Sequence, residues 1–297
     1  MKNIPCVICL SSKNYHILYP KNFNLKDANE ITFSARRIPD RYHYRIVKCK
    51  KCGLIYSNPI LEEKEIKNLY KRSKFTYDKE VDNLSQSYGY CLDQIKPQII
   101  NKDRFLEIGC GNGFFLKEAS KRGFKNLWGV EPSIDAIKKS SFGVGKIINS
   151  TLESDLFKKD YFDFICFFQT LDHIVDPNKF LKICFKILKK KGLVLCITHD
   201  SNSILTKILK EKSPIFDLEH VCLFNKQTLV KIFNQNGFKV IKVFDVANRY
   251  SLAYWIKMSP LNRWTKKFIE KASNLLGFNK ITLRLNVGNI GILAKKI

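Results

Sequence analysis

From residue 103 onward, short apolar runs alternate with amphipathic stretches of helical period. The runs at 104–108, 127–130, 146–148, 162–168, 193–198, 238–246 and 289–294 read as strands. The stretches at 114–122, 134–140, 179–189 and 226–236 read as helices between them. Asp176 can cap the third of these with Pro177 in its first turn, and Gly237 suits the end of the fourth. Regular alternation of strand and helix predicts an α/β fold. The expected core is a Rossmann-like seven-stranded, mostly parallel sheet with flanking helices.

Ahead of it the pattern changes. Residues 1–60 hold two C-x-x-C pairs, Cys6/Cys9 and Cys49/Cys52. The alternating run 41–48 between them reads as a strand, and Asn58-Pro59 ends the module. Residues 61–72 read as a helix with Ile66, Leu69 and Tyr70 on one face, and 61–100 form a helical lead-in. Residues 101–297 then make the main domain. Between its last two strands, 247–287 is an insertion whose helical stripe runs Leu261, Trp264, Phe268, Ala272, Leu275, with Arg263, Lys266, Lys267 and Lys271 off it. This predicts a lid or a subunit surface.

Composition narrows the setting. The 297 residues are 45% hydrophobic, enough for one large core and a small accessory module. No apolar run approaches the roughly 18 residues of a membrane span, and the N-terminus lacks a signal peptide's apolar stretch. The expected location is the cytoplasm, where ten cysteines point to metal or free thiols rather than disulfides. A net charge of +25 invites an anionic partner. Of the 52 basic residues, however, 42 are lysine, which equally describes lysine spread over solvated faces.

Cys6, Cys9, Cys49 and Cys52 supply four thiolates, the donor set of one closed tetrahedral zinc. Such a site organises and does not catalyse. Gly53 follows the second pair, where the turn can require a left-handed residue, and Leu10 follows the first. The rival reading is four unrelated thiols or a redox pair.

The sequence Glu107-Ile108-Gly109-Cys110-Gly111-Asn112-Gly113 leaves a strand and opens a helix. Its glycines let backbone N–H groups approach a ligand at the positive end of that helix. Alone it could be only a tight turn. The spacing is G-x-G-x-G, not the G-x-G-x-x-G of dinucleotide folds, and Glu131 ends the next strand, where a carboxylate can grip ribose hydroxyls. With Val130-Glu131-Pro132-Ser133, Phe162-Asp163-Phe164, Leu171-Asp172-His173-Ile174-Val175-Asp176-Pro177 and Leu188-Lys189-Lys190-Lys191-Gly192-Leu193, residues 101–245 resemble the class I S-adenosylmethionine-dependent methyltransferases. The resemblance implies that Gly109, Gly111 and Gly113 lie under the methionine part of S-adenosylmethionine, that Glu131 binds its ribose, and that Glu107 belongs to the cofactor site. It places Thr151, Leu152 and Glu153 near the adenine and Gln169 against the methionine moiety. Residues 44–59 are similar to the N-terminal zinc-binding segment of a subgroup that includes deoxysugar C-methyltransferases. Those sugar enzymes carry a further C-terminal domain that this length does not hold.

A methyl on a sulfonium is already activated, so a base is needed only where the acceptor must lose a proton. His173, His199 and His220 all fall in loops after strands or before a helix. Glu219-His220 resembles a Glu-His pair of the deoxysugar enzymes, which implies His220 as base, Glu219 as its orienting group and His173 in the acceptor site. Each histidine can also be a plain structural contact. The expected acceptor is a small molecule or glycan, with Arg41 to Arg45 as a wall of its pocket. The alternatives are a zinc-ribbon RNA methyltransferase using Arg36, Arg37, Arg41, Tyr42, Tyr44 and Arg45, and a non-enzymatic S-adenosylmethionine-binding protein.

Overall fold

The computed structural model describes the chain except residues 36–38, 141–142, 144, 260, 276–277 and 279–280, together with the side chains at 263, 270 and 274. Arg36 and Arg37, named above as RNA contacts, fall outside the described residues. In chain order the elements are β1 (Tyr15–Tyr19), β2 (Ile46–Cys49), β3 (Ile55–Ser57), α1 (Glu63–Arg72), α2 (Val81–Gln94), β4 (Arg104–Ile108), α3 (Phe114–Lys121), β5 (Asn126–Val130), α4 (Ile134–Lys138), β6 (Lys146–Ile148) and β7 (Phe162–Phe168). They continue as α5 (Pro177–Ile187), β8 (Leu188–His199), α6 (Ile204–Leu209), β9 (Cys222–Leu223), α7 (Lys226–Gln235), β10 (Phe238–Ser251), α8 (Leu252–Met258), α9 (Arg263–Leu275) and β11 (Thr282–Lys296).

Seven strands form the main sheet in the order β10-β11-β8-β7-β4-β5-β6. The pairs among β8, β7, β4, β5 and β6 are parallel, and β11 is antiparallel to both β8 and β10. Central β7 is buried at every position, which is why its sequence is an unbroken apolar run around Asp163. The expected α/β architecture is therefore the one found.

Boundaries differ where tertiary pairing outweighs local pattern. The helix expected at 179–189 ends at Ile187, and β8 begins at once, because Leu188 pairs with Phe162 of β7. Asp176 caps that helix as expected, accepting from the Lys179 amide at 2.9 Å. The last two strands outrun their predicted ends. They continue to the pair Ser251↔Thr282 as a hairpin arm, and α8 and α9 sit at its tip.

At the other end a small sheet runs β1-β2-β3-β9. Only Ile46–Cys49 of the run 41–48 is strand, and Arg41 stands at φ +66°, which breaks an extended chain. Strand β9 comes from the C-terminal half of the sequence and closes this sheet against β3.

Candidate active site

The turn between β4 and α3 bends through left-handed backbone at Gly109 (φ +76°), Gly111 (φ +56°) and Gly113 (φ +78°). A Cβ at Gly109 would lie 2.6 Å from Thr170 Oγ1, and one at Gly111 would lie 2.7 Å from the Tyr77 hydroxyl. The glycines are thus required by conformation and by close neighbours together. Glu131 braces the turn from the end of β5. Its Oε2 accepts from the Gly111 amide at 2.8 Å, and its Oε1 from the Ser133 amide at 2.8 Å. Burial raises the Glu131 carboxyl above its usual range, against the pull of those two amides. A carboxylate has about four lone-pair sites, so both oxygens can still accept from a ligand.

This turn opens into a cavity of about 660 Å³, the size of a small-molecule or cofactor site. Gly109, Gly111, Glu131, Thr151, Leu152, Glu153 and Gln169 all line it. Glu153 is held by Lys67 of α1 at 3.0 Å and by the Thr151 hydroxyl at 2.9 Å. Gln169 sits at φ +51°, a conformation rare outside glycine, and its amide donates to Asn289 Oδ1 at 3.1 Å. Its buried Oε1 has no hydrogen-bond partner among the described residues, so it offers an acceptor to a bound molecule.

Two residues of the expected set lie off the cavity wall. Gly113 packs under Ile147, whose Cδ1 would lie 2.8 Å from an added Cβ. Glu107 is buried beneath the turn with Oε2 unpartnered among the described residues, and burial, reinforced by Glu131, raises its carboxyl well above the usual range.

Opposite the glycine turn, three histidines converge on one carboxylate. Asp172 is fully buried just past β7. His199 at the end of β8 donates from Nδ1 to Asp172 Oδ2 at 2.6 Å. His220 Nε2 lies 3.9 Å from the same oxygen, and His173 Nε2 lies 3.8 Å from Oδ1. The His220 ring is 4.8 Å, centre to centre, from both His173 and His199. All three histidines line the cavity. Burial works against the Asp172 charge, but the three imidazoles outweigh it and hold its carboxyl far below the usual range.

The protonation pattern follows from the outer partners. His220 Nδ1 donates to the Ile215 carbonyl at 2.8 Å, which leaves Nε2 as the basic nitrogen. Tyr70 donates to the Glu219 carbonyl at 3.2 Å, so at 2.7 Å its oxygen accepts from His173 Nδ1. The group that orients His220 is thus a backbone carbonyl, while Glu219 lies in the cavity lining. Burial lowers the His220 pKa from its ordinary 6.5, aided by His199 and opposed by Asp172, so the ring is neutral near pH 7. The ligand atoms of Asp172, His199 and His220 lie within 4.8 Å of one another. His199 Nδ1 and Asp172 Oδ2 already lie within hydrogen-bond distance of each other, at 2.6 Å.

Sequence reading found the histidines but not Asp172 at their centre, nor Tyr70 and Tyr77. The signal for Asp172 was present, an acid beside a histidine directly after a buried strand. Tyr77 had none, because its approach to Gly111 depends on how the lead-in folds over the turn. The pocket wall from the N-terminal segment also differs. Phe33, Ala35 and Pro39 line the cavity, whereas Arg45 turns away, donating to the Asn58 carbonyl at 2.7 Å and packing on the Tyr15 ring.

The four cysteines meet as expected. Their sulfurs lie within 4.8 Å of one another, with Cys6–Cys52 and Cys9–Cys49 each at 3.3 Å, far beyond a disulfide bond. The two turns match: the Leu10 amide donates to the Cys6 carbonyl and the Gly53 amide to that of Cys49, with Leu10 at φ +58° and Gly53 at +78°. Burial pushes the Cys49 thiol up, but the Cys52 and Lys51 amides and neighbouring sulfurs outweigh it and bring it down to about 7. Amides aimed at clustered sulfurs are what a thiolate metal site requires.

A methyltransferase-domain family matches residues 81–243, more than half of the chain. An uncharacterised protein of Methanocaldococcus jannaschii is 28% identical over 176 residues, covering 59% of this chain and 83% of that protein. The ubiquinone biosynthesis O-methyltransferase of Bradyrhizobium diazoefficiens is 30% identical over 104 residues, 33% of this chain and 41% of that enzyme, so less than half of its length is spanned. Among solved structures, a SAM-dependent methyltransferase of Thermotoga maritima superposes with a TM-score of 0.50 at 20% identity, covering 74% of this chain and 94% of that one. The YcgJ protein of Bacillus subtilis gives 0.51 at 20% identity, covering 71% and 98%. The sheet order, the glycine turn braced by Glu131 and the family match agree, and the chain belongs to the methyltransferase-domain family as a class I S-adenosylmethionine-dependent methyltransferase.

Proposed function

We propose that the acceptor is a small molecule or glycan that enters the cavity on the histidine side and loses a proton there. The observation that carries this reading is the continuity of one cavity from the Gly109–Gly111 turn to the three histidines around Asp172. Gly109, Gly111, Glu131, Thr151, Leu152, Glu153 and Gln169 hold the cofactor, with Glu107 beneath them. S-adenosylmethionine supplies a methyl group already activated on its sulfonium. The chain's own work is then to position the acceptor, exclude water and hold a proton.

His220 is the base. Its Nδ1 is committed to Ile215, so Nε2 takes the acceptor proton, and the resulting imidazolium lies beside the Asp172 anion. His173 shapes the acceptor site with Tyr70 behind it. Histidines around a carboxylate favour an acceptor with an ionisable O–H or N–H. The cysteines hold a structural zinc that fixes the small sheet. Arg45, committed to the Asn58 carbonyl, is not placed to track an RNA backbone, which favours the small acceptor.

Incubation with methyl-labelled S-adenosylmethionine and extract fractionated into RNA, glycan and small-molecule pools tests the proposal. Label in the small-molecule or glycan pool, lost in His220→Ala, is expected. Label in RNA, or undiminished turnover by His220→Ala, would overturn it.

A further inference from the structure

Helix α9 presents its apolar side to solvent. Its inner side is mixed: Ser273 is only 7% exposed, and Thr265, Lys266, Ile269 and Ala272 are half-buried. Trp264, Phe268 and Leu275 lie together on the outer side at 85%, 75% and 89% exposure. Their spacing of four and seven residues keeps them on one stripe. Lys271, exposed, stands on the same stripe between Phe268 and Leu275, with exposed Lys267 alongside. Helix α6 repeats the arrangement, with Ile204 at 77%, Ile208 at 69% and Lys207 exposed between them. Both helical units border one cavity, since Leu205 and Leu209 of α6 and Tyr254, Trp255 and Met258 of α8 line it.

We infer that this face seats on an anionic lipid bilayer. Aromatic and aliphatic side chains interleaved with lysines suit the headgroup boundary, where rings enter the acyl region and ammonium groups meet phosphates. The sequence of α9 carries Arg263, Lys266, Lys267 and Lys271 against one acid, Glu270, in a chain of net charge +25. Pairing with a second copy through this stripe would bring Lys267 and Lys271 against their like, so a negative surface is the better complement. None of the described helices can cross a membrane, so the contact is peripheral. The inference does not depend on which acceptor is methylated.

The test is flotation of the full chain with vesicles of equimolar phosphatidylglycerol and phosphatidylcholine, compared with pure phosphatidylcholine. Binding to the mixed vesicles that weakens with salt is expected, with a loss of roughly tenfold or more in Trp264→Glu/Phe268→Glu and in Lys267→Glu/Lys271→Glu. Circular dichroism and S-adenosylmethionine binding should be unchanged in both variants. Quenching of Trp264 emission by brominated lipid, with Trp264→Phe as background, gives a second reading. Absence of binding to mixed vesicles, equal binding by the variants, or a dimer in sedimentation that Trp264→Glu abolishes would overturn the inference.

Discussion

Ser57 donates from its hydroxyl to the His220 carbonyl at 2.8 Å, linking the small N-terminal sheet to the loop that carries the candidate base. The Ser57 amide also donates to Val221, and β9 follows directly to pair with β3. On the other side, the Val221 amide donates to the Asp172 carbonyl at 2.8 Å. The His220 backbone is therefore clamped between the cysteine-bearing sheet and the end of β7. The cysteine module acts on the site through geometry, without a sulfur in the cavity.

Cys49→Ser should consequently impair more than the metal site. Loss of one thiolate is expected to lower metal content well below one equivalent and to destabilise the fold by more than about 4 kcal/mol, the scale of lost metals and buried groups. Hydrogen exchange should quicken at Val221 to Leu223 before it does in β7. Unchanged protection at β9 in a metal-free variant would show that the clamp does not depend on the cysteines.

Asp172→Asn keeps the shape of the cluster and removes its anion. The expected loss in kcat/KM is roughly 10²–10⁴-fold. The pH profile decides between a catalytic and a merely structural effect. Burial depresses His220 and Asp172 opposes that depression, so removing the anion lowers the His220 pKa further. The acidic limb of the profile should therefore move to lower pH in the variant. A reduced plateau with an unmoved limb would confine Asp172 to packing.

Gly109→Ala tests the turn. The new methyl would meet Thr170 Oγ1 at 2.6 Å in a backbone of φ +76°. A loss of about 1–3 kcal/mol in stability is expected from the strained conformation, with weakened S-adenosylmethionine binding measured by calorimetry. Thr170→Ala relieves the steric part only, so the double variant should recover stability in part and binding less.

How much of this was legible depended on whether a feature was local. The β4–α3 turn was readable because three glycines at fixed spacing have a backbone reason, and the Asp176 cap because it acts three residues away. The cysteine pairs were readable because two residues between thiols let one turn present both. The Arg41 to Arg45 wall was not, since Arg41 breaks the strand and Arg45 finds the Asn58 carbonyl, partners that exist only once the small sheet closes. The hairpin arm was cut short for a similar reason. Asn248 to Ser251 pair with Leu285 to Thr282 across some thirty intervening residues, beyond the reach of periodicity.

Glu107 offers the last test, on stability. Its carboxyl is raised well above 4.5 in the folded chain because burial disfavours the charge and Glu131 lies near. Below about pH 4 it is protonated in both states and contributes nothing. As pH rises, the unfolded chain releases the proton while the folded chain keeps it, so stability falls until the folded pKa is passed. Glu107→Gln retains the shape without a titrating group. The variant should match the natural protein near pH 4 and exceed it at about pH 8 in urea unfolding. If cofactor affinity falls over the same comparison, Glu107 holds the turn for its ligand at a cost in stability. Equal stabilities across the pH range would mean that the Glu107 carboxyl titrates in the folded chain much as it does in the unfolded one.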